Sequence, residues 1–142
     1  MTRRVLFILF FYHLYCWAAF FDCFKQHKPT MQETLKEISH FQESNKAQDK
    51  ILSLTHTAHR ELARYIPNDN KFPGVEWKLS VMEPNDCIKI GESLLTSNLL
   101  RGDCAYKWHI SPIKEGCAWV KLELFVHKQQ YEIQEVKITV QE

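Results

Sequence analysis

Four stretches of this chain alternate apolar and polar residues with a period of two, and no other feature constrains the fold as much. Val75, Trp77, Leu79 and Val81 fall on one side, with Glu76, Lys78 and Ser80 on the other. Cys104, Tyr106, Trp108 and Ile110 alternate with Ala105, Lys107 and His109. Val120, Leu122, Leu124 and Val126 share a face, as do Val136, Ile138 and Val140. A period of two is the mark of a half-buried strand. Tyr131 and Ile133 are out of phase with the last set, which predicts a bulge near Gln134–Glu135. Turn residues separate the stretches: Phe72-Pro73-Gly74, Glu83-Pro84-Asn85-Asp86, Ser111 to Gly116, and a hairpin tip at His127-Lys128-Gln129-Gln130.

Upstream the period changes. Thr30-Met31-Gln32-Glu33 is a capping-box pattern, and Met31, Leu35, Ile38 and Phe41 form one stripe on a helix running to about Lys46. Lys50 to Tyr65 fits either a helix or a strand. Its threonines favour a strand, with Leu52 and Leu54 on one side and Ser53 and Thr55 on the other. Tyr65 to Pro73 reads as a polar loop. Residues 88–103, with Gly91, Ser93, Ser97, Asn98 and Gly102, read as a long connection. The expected class is therefore α+β, with one helix followed by antiparallel strands.

The first eighteen residues have the composition of a secretory leader: Arg3 and Arg4, an apolar run from Val5 to Tyr15, then Cys16-Trp17-Ala18. The expected organisation is a signal peptide over 1–18 and a single secreted, extracellular domain over 19–142, with no membrane association once the leader is removed. The whole chain has 18 Lys and Arg against 17 Asp and Glu. Without Arg3 and Arg4 the balance stays close to neutral, so no electrostatic footprint for nucleic acid is present. Cys23, Cys87, Cys104 and Cys117 remain after the leader. An even number in an oxidising compartment reads as two disulfides, and four cysteines allow three pairings. No Cys-x-x-Cys pair or other metal motif is present, and neither a metal nor another cofactor is expected.

This order of elements and cysteines resembles the secreted cystatin superfamily, the cysteine-protease inhibitors and their cathelin-like relatives. The resemblance rests on the helix "TLKEISHFQESNKAQD", on "FPGVEWKLSV" followed by Cys87, and on Cys117 opening "CAWVKLELFV". It implies one long helix cradled by a curved four- to five-stranded antiparallel sheet. It also implies a Cys87–Cys104 disulfide, with Cys23 left to reach Cys117, to stay free, or to pair between chains. Inhibitory members carry a Gln-x-Val-x-Gly tip where this chain has Asn70-Lys71-Phe72-Pro73-Gly74. The resemblance therefore implies a wedge of Asn70, Phe72, Pro73 and Gly74, helped by His127, Lys128, Gln129 and Gln130, that plugs a papain-like protease reversibly. The second family hairpin's Pro-Trp and the N-terminal glycine have no counterpart here. A cystatin-fold binding module without inhibitory activity is the alternative, acting as a monomer or as a domain-swapped dimer.

A small disulfide-bonded enzyme is the rival class. His27, His40, His56, His59, His109 and His127 supply bases, but the sequence carries no nucleophile elbow, phosphate loop or HExxH motif. The expectation is a protein that binds rather than catalyses.

Overall fold

The computed structural model describes residues 28–47, 50–98 and 100–142. The expected leader and Cys23 lie outside them. Among the described residues one helix, α1 (Met31–Ala47), precedes seven strands: β1 (Ile51–Thr55), β2 (Arg60–Pro67), β3 (Val75–Met82), β4 (Ile88–Asn98), β5 (Asp103–Pro112), β6 (Gly116–Val126) and β7 (Gln129–Gln141). They form a four-stranded sheet in the order β1-β7-β6-β3 and a three-stranded sheet in the order β2-β5-β4. The expectation of one sheet wrapped around one helix is overturned. The core lies between two sheets, where Leu54, Ile66, Ile88, Trp77, Trp108, Ile110, Val120, Leu122 and Ile138 are buried. A strand that buries one face has the same period whether a helix or a second sheet covers it.

The strand patterns took the registers that burial demands. In β3, Val75 and Trp77 face inward, opposite Val126 and Leu124 of β6. Lys50 to Tyr65 divides into two strands in different sheets: β1 runs parallel to β7, and β2 runs antiparallel to β5. Residues 88–98 are a strand, not a connection. The bulge in β7 sits at Tyr131, where the register shifts opposite Leu124 and Phe125, three residues before the expected position. From there Glu132, Gln134 and Val136 continue the inward phase, and Ile133 faces solvent.

The helix closes an open side of the sandwich. β1 pairs only with the second half of β7, from Lys137 to Gln141. α1 packs on β2 and reaches the first half of β7 through Gln42. The capping box forms as read: Thr30 Oγ1 accepts from Glu33 N at 3.2 Å, and Glu33 Oε2 accepts from Thr30 N at 2.7 Å. Ile38 is buried and Leu35 packs against the core. Asn45 takes both backbone groups of Tyr65 in β2: its Nδ2 donates to Tyr65 O (2.9 Å) and its Oδ1 accepts from Tyr65 N (2.8 Å). Gln42 Nε2 donates to Glu132 Oε2 of β7 at 2.8 Å.

The cysteine pairing implied by the resemblance does not fit this fold. Cys87 adjoins Ile88, which lies opposite Pro112, and its carbonyl accepts from Ile113 N at 2.7 Å. Cys104 lies opposite Ser97, eight positions back along β5. At about 3.3 Å per residue the two cysteines sit roughly 26 Å apart, against the roughly 7 Å that a bridge tolerates between Cα atoms. Both thiols are buried and free, and Cys117 is free and exposed opposite Thr139. Burial and the Asp86 carboxylate push the Cys87 thiol up.

Candidate functional site

Three loops come together at one end of the sandwich, and the ladders place them there. β2 ends at Pro67, opposite Asp103, and β4 ends at Asn98, opposite the same residue. The loops 68–74 and 99–102 therefore leave the three-stranded sheet side by side. In the other sheet Val75 opens β3 opposite Val126, which closes β6 before the His127-Lys128 tip. Loop 68–74 bridges the two sheets and stands between the other two loops.

Each loop is held by its own backbone bonds. Asn68 O accepts from Lys71 N (3.0 Å) and Phe72 N (2.9 Å), and Asn68 Oδ1 accepts from Asn70 N (2.9 Å). An Asn side chain that mimics a backbone turn in this way favours the bend before Pro73. Asn98 does the same for the second loop, its Oδ1 accepting from Leu100 N and Arg101 N while its carbonyl accepts from Gly102 N. Leu100 at that tip is 100% exposed. In the third loop His127 and Lys128 adopt φ of 49° and 69°. Positive φ at both central residues is the two-residue hairpin whose twist matches the flanking strands.

The first and third loops lock together. His127 N donates to Gly74 O at 2.8 Å. Gly74 has φ 86°, and a Cβ there would lie 2.8 Å from His127 Nδ1. A residue with a side chain would have to displace the imidazole. Asn70, Phe72, Pro73, Gly74, His127 and Lys128 are thus brought to one end, while Gln129 and Gln130 belong to β7 just behind it. Phe72 is half-buried; Asn70, Pro73, Gly74, His127 and Lys128 are exposed.

Sequence reasoning missed two parts of this end. The tip at Leu100 lay inside a segment read as a connection. The other part is the helix. Lys28, Glu33, Lys36, Glu37 and His40 form a groove of about 780 Å³ with Asn70, Lys71, Phe72 and Pro73. The first half of α1 therefore flanks loop 68–74.

Among the described residues the histidines do not assemble elsewhere into a recessed site. His59 and His109 stack on the outer face of the three-stranded sheet, with ring centroids 5.0 Å apart, and His59 Nδ1 lies 3.1 Å from Ser111 Oγ. Both rings are exposed and sit at the end of that sheet away from the three loops. No cluster of three metal-binding side chains occurs among the described residues.

No family model and no curated protein matches this sequence. The fold is similar to that of solved proteins. The crystal structure of the cysteine protease inhibitor EhICP2 from Entamoeba histolytica superposes with a TM-score of 0.52 at 12% identity, over 68% of this chain and 90% of that one. The solution structure of amebosin superposes with a TM-score of 0.42 at 13% identity, over 64% of this chain and 88% of that one. The likeness to EhICP2 is one of fold.

A prediction arises at the hairpin tip. Left-handed backbone at His127 and Lys128 costs each of these residues about 1 kcal/mol relative to glycine. Replacing the pair with Asn-Gly is expected to stabilise the fold by about 0.5–1 kcal/mol. Urea unfolding measures it, and an unchanged midpoint would mean that the tip relaxes in solution.

Proposed function

We propose that this chain is a secreted, reversible inhibitor of papain-like cysteine proteases that blocks the active-site cleft with its three-loop end. The observation that carries the proposal is the lock between Gly74 and His127, which presents loop 68–74 and the 127–128 tip as one preformed edge. Loops already fixed by internal hydrogen bonds lose little entropy on docking, so a modest area can bind tightly. Leu100 adds an exposed apolar tip at the same end, and Phe72 a half-buried ring. The fold shared with EhICP2 supports the class of partner.

The test is a titration of purified residues 19–142 against papain. Competitive inhibition is expected, with a Ki below about 1 μM. Leu100→Asp is expected to weaken it at least tenfold while leaving the unfolding midpoint unchanged, because a fully exposed side chain contributes little to stability. Inhibition unaffected by Leu100→Asp, or absent for a folded protein at about 10 μM, would remove the proposed role.

A further inference from the structure

Away from the helix, the described residues leave the sandwich open along one seam. β3 ends the four-stranded sheet and β4 ends the three-stranded one, and no described strand lies beyond either. Between them runs a slot of about 510 Å³ floored by Trp77, Leu79, Val81, Ile90, Tyr106 and Trp108. Trp77 is 2% exposed, and its indole Nε1–H is the one buried side-chain donor without a partner among the described residues. Buried polar groups in folded proteins are nearly always paired, so an orphan at an open seam asks for an acceptor. Along β3, alternate residues turn their N–H and C=O away from β6, which leaves a regular row of unpaired backbone groups at the same seam.

We propose that this slot binds an extended, uncharged peptide segment of another protein, which adds a strand to β3 and gives one carbonyl to Trp77 Nε1. Two features select that occupant. The rim charges neutralise each other: Lys78 Nζ lies 3.6 Å from Glu76 Oε2 and also sits over the Phe125 ring at 4.8 Å. No net field remains to favour a charged ligand. The facing edge is spoiled for regular pairing, because β4 shifts register between Ile90 and Ser93. A bulge of that kind blocks edge-to-edge association through β4, while β3 stays regular. Slot residues run from Glu76 to Val81, so the added strand spans about six residues.

Three capped peptides of about six residues, alternating Val-Thr, Leu-Ser and Phe-Asn, serve as probes. The readout is the Trp77 indole N–H resonance, assigned by its loss in Trp77→Phe. At least one peptide is expected to shift that resonance with a Kd of about 10–100 μM and to slow hydrogen exchange along β3. N-methylation of the peptide along its pairing edge is expected to weaken binding at least tenfold, and methylation along the other edge to leave it unchanged. Trp77→Phe should weaken it about fivefold; if that variant misfolds, the two methylated series on the parent protein still decide. No shift from any peptide at about 1 mM, or equal binding by both methylated series, overturns the proposal. So does an indole resonance that moves with protein concentration alone, since the slot would then hold a second copy.

Discussion

Gly74→Ala is expected to unfold about 1–2 kcal/mol more easily than the parent and to inhibit papain at least tenfold less well. Two costs combine. A φ of 86° is natural for glycine and strained for alanine. The new Cβ would also meet His127 Nδ1 at 2.8 Å, inside the closest approach that real side chains make. The imidazole is exposed and can turn aside, but its backbone cannot follow, because His127 N–H is held by Gly74 O. The relief therefore comes from the ring alone, and the geometry of the 127–128 tip is disturbed with it. The double variant Gly74→Ala/His127→Ala separates the costs. It removes the steric part and keeps the backbone part, so the coupling energy reads the contact. If Gly74→Ala proves neutral both in urea unfolding and in Ki, the lock is not what presents the loops.

Much of this end was legible before the structure, though for a reason that turned out different. Asn70, Phe72, Pro73, Gly74, His127 and Lys128 were drawn together by resemblance to a helix-wrapped sheet, and the sandwich brings them together by its ladders. Both outcomes follow from one local fact: a Pro-Gly turn opens one strand and a two-residue tip closes the strand beside it. What the sequence could not carry was the covering layer. β3, β5, β6 and β7 each bury one face, and period two is silent about what lies over it. β4 escaped notice because it is an edge strand with most of its side chains exposed, including Leu94 at 61%, so no alternation survives. β1 and β2 merged because Thr55, His56 and Thr57 carried the polar pattern through the turn between them. The cysteines misled for a topological reason. A spacing that suits one meander puts Cys87 and Cys104 at opposite ends of the β4–β5 ladder.

The orphan at Trp77 and the groove beside the helix lie on opposite sides of the molecule, and both follow from where the strands stop. β1 pairs only with the second half of β7, and α1, packed on β2, reaches the first half through Gln42. No described element performs that task beside β3 and β4. The open seam is thus the counterpart of the helix-covered one, and it is the side on which an added strand would complete the same kind of closure.

How firmly the helix closes its side depends on Arg64, which is 1% exposed. Its Nε donates to Gln134 Oε1 at 2.8 Å and its Nη1 to Ala63 O at 2.7 Å. Gln134 Nε2 in turn donates to Glu132 Oε1 (2.9 Å), and Glu132 Oε2 accepts from Gln42 of the helix (2.8 Å). One chain of hydrogen bonds therefore joins β2 of one sheet, β7 of the other, and α1. Arg64→Ala is expected to cost about 3 kcal/mol, from the lost packing of the aliphatic stem and from a Gln134 acceptor left buried without its donor. Arg64→Met keeps the volume and removes the charge, and should cost less than about 1.5 kcal/mol, since apolar residues of similar shape often replace buried ions at little expense. Hydrogen exchange distinguishes local from global loss. In Arg64→Ala the amides of Met31–Ala47 should lose protection before those of β6, because the helix is tied to the sheets by this network, the Asn45 bonds and the packing of Leu35 and Ile38, whereas β6 is laddered on both sides. Equal costs for Ala and Met would show that the charge itself, and not the packed stem, holds the helix against the sandwich.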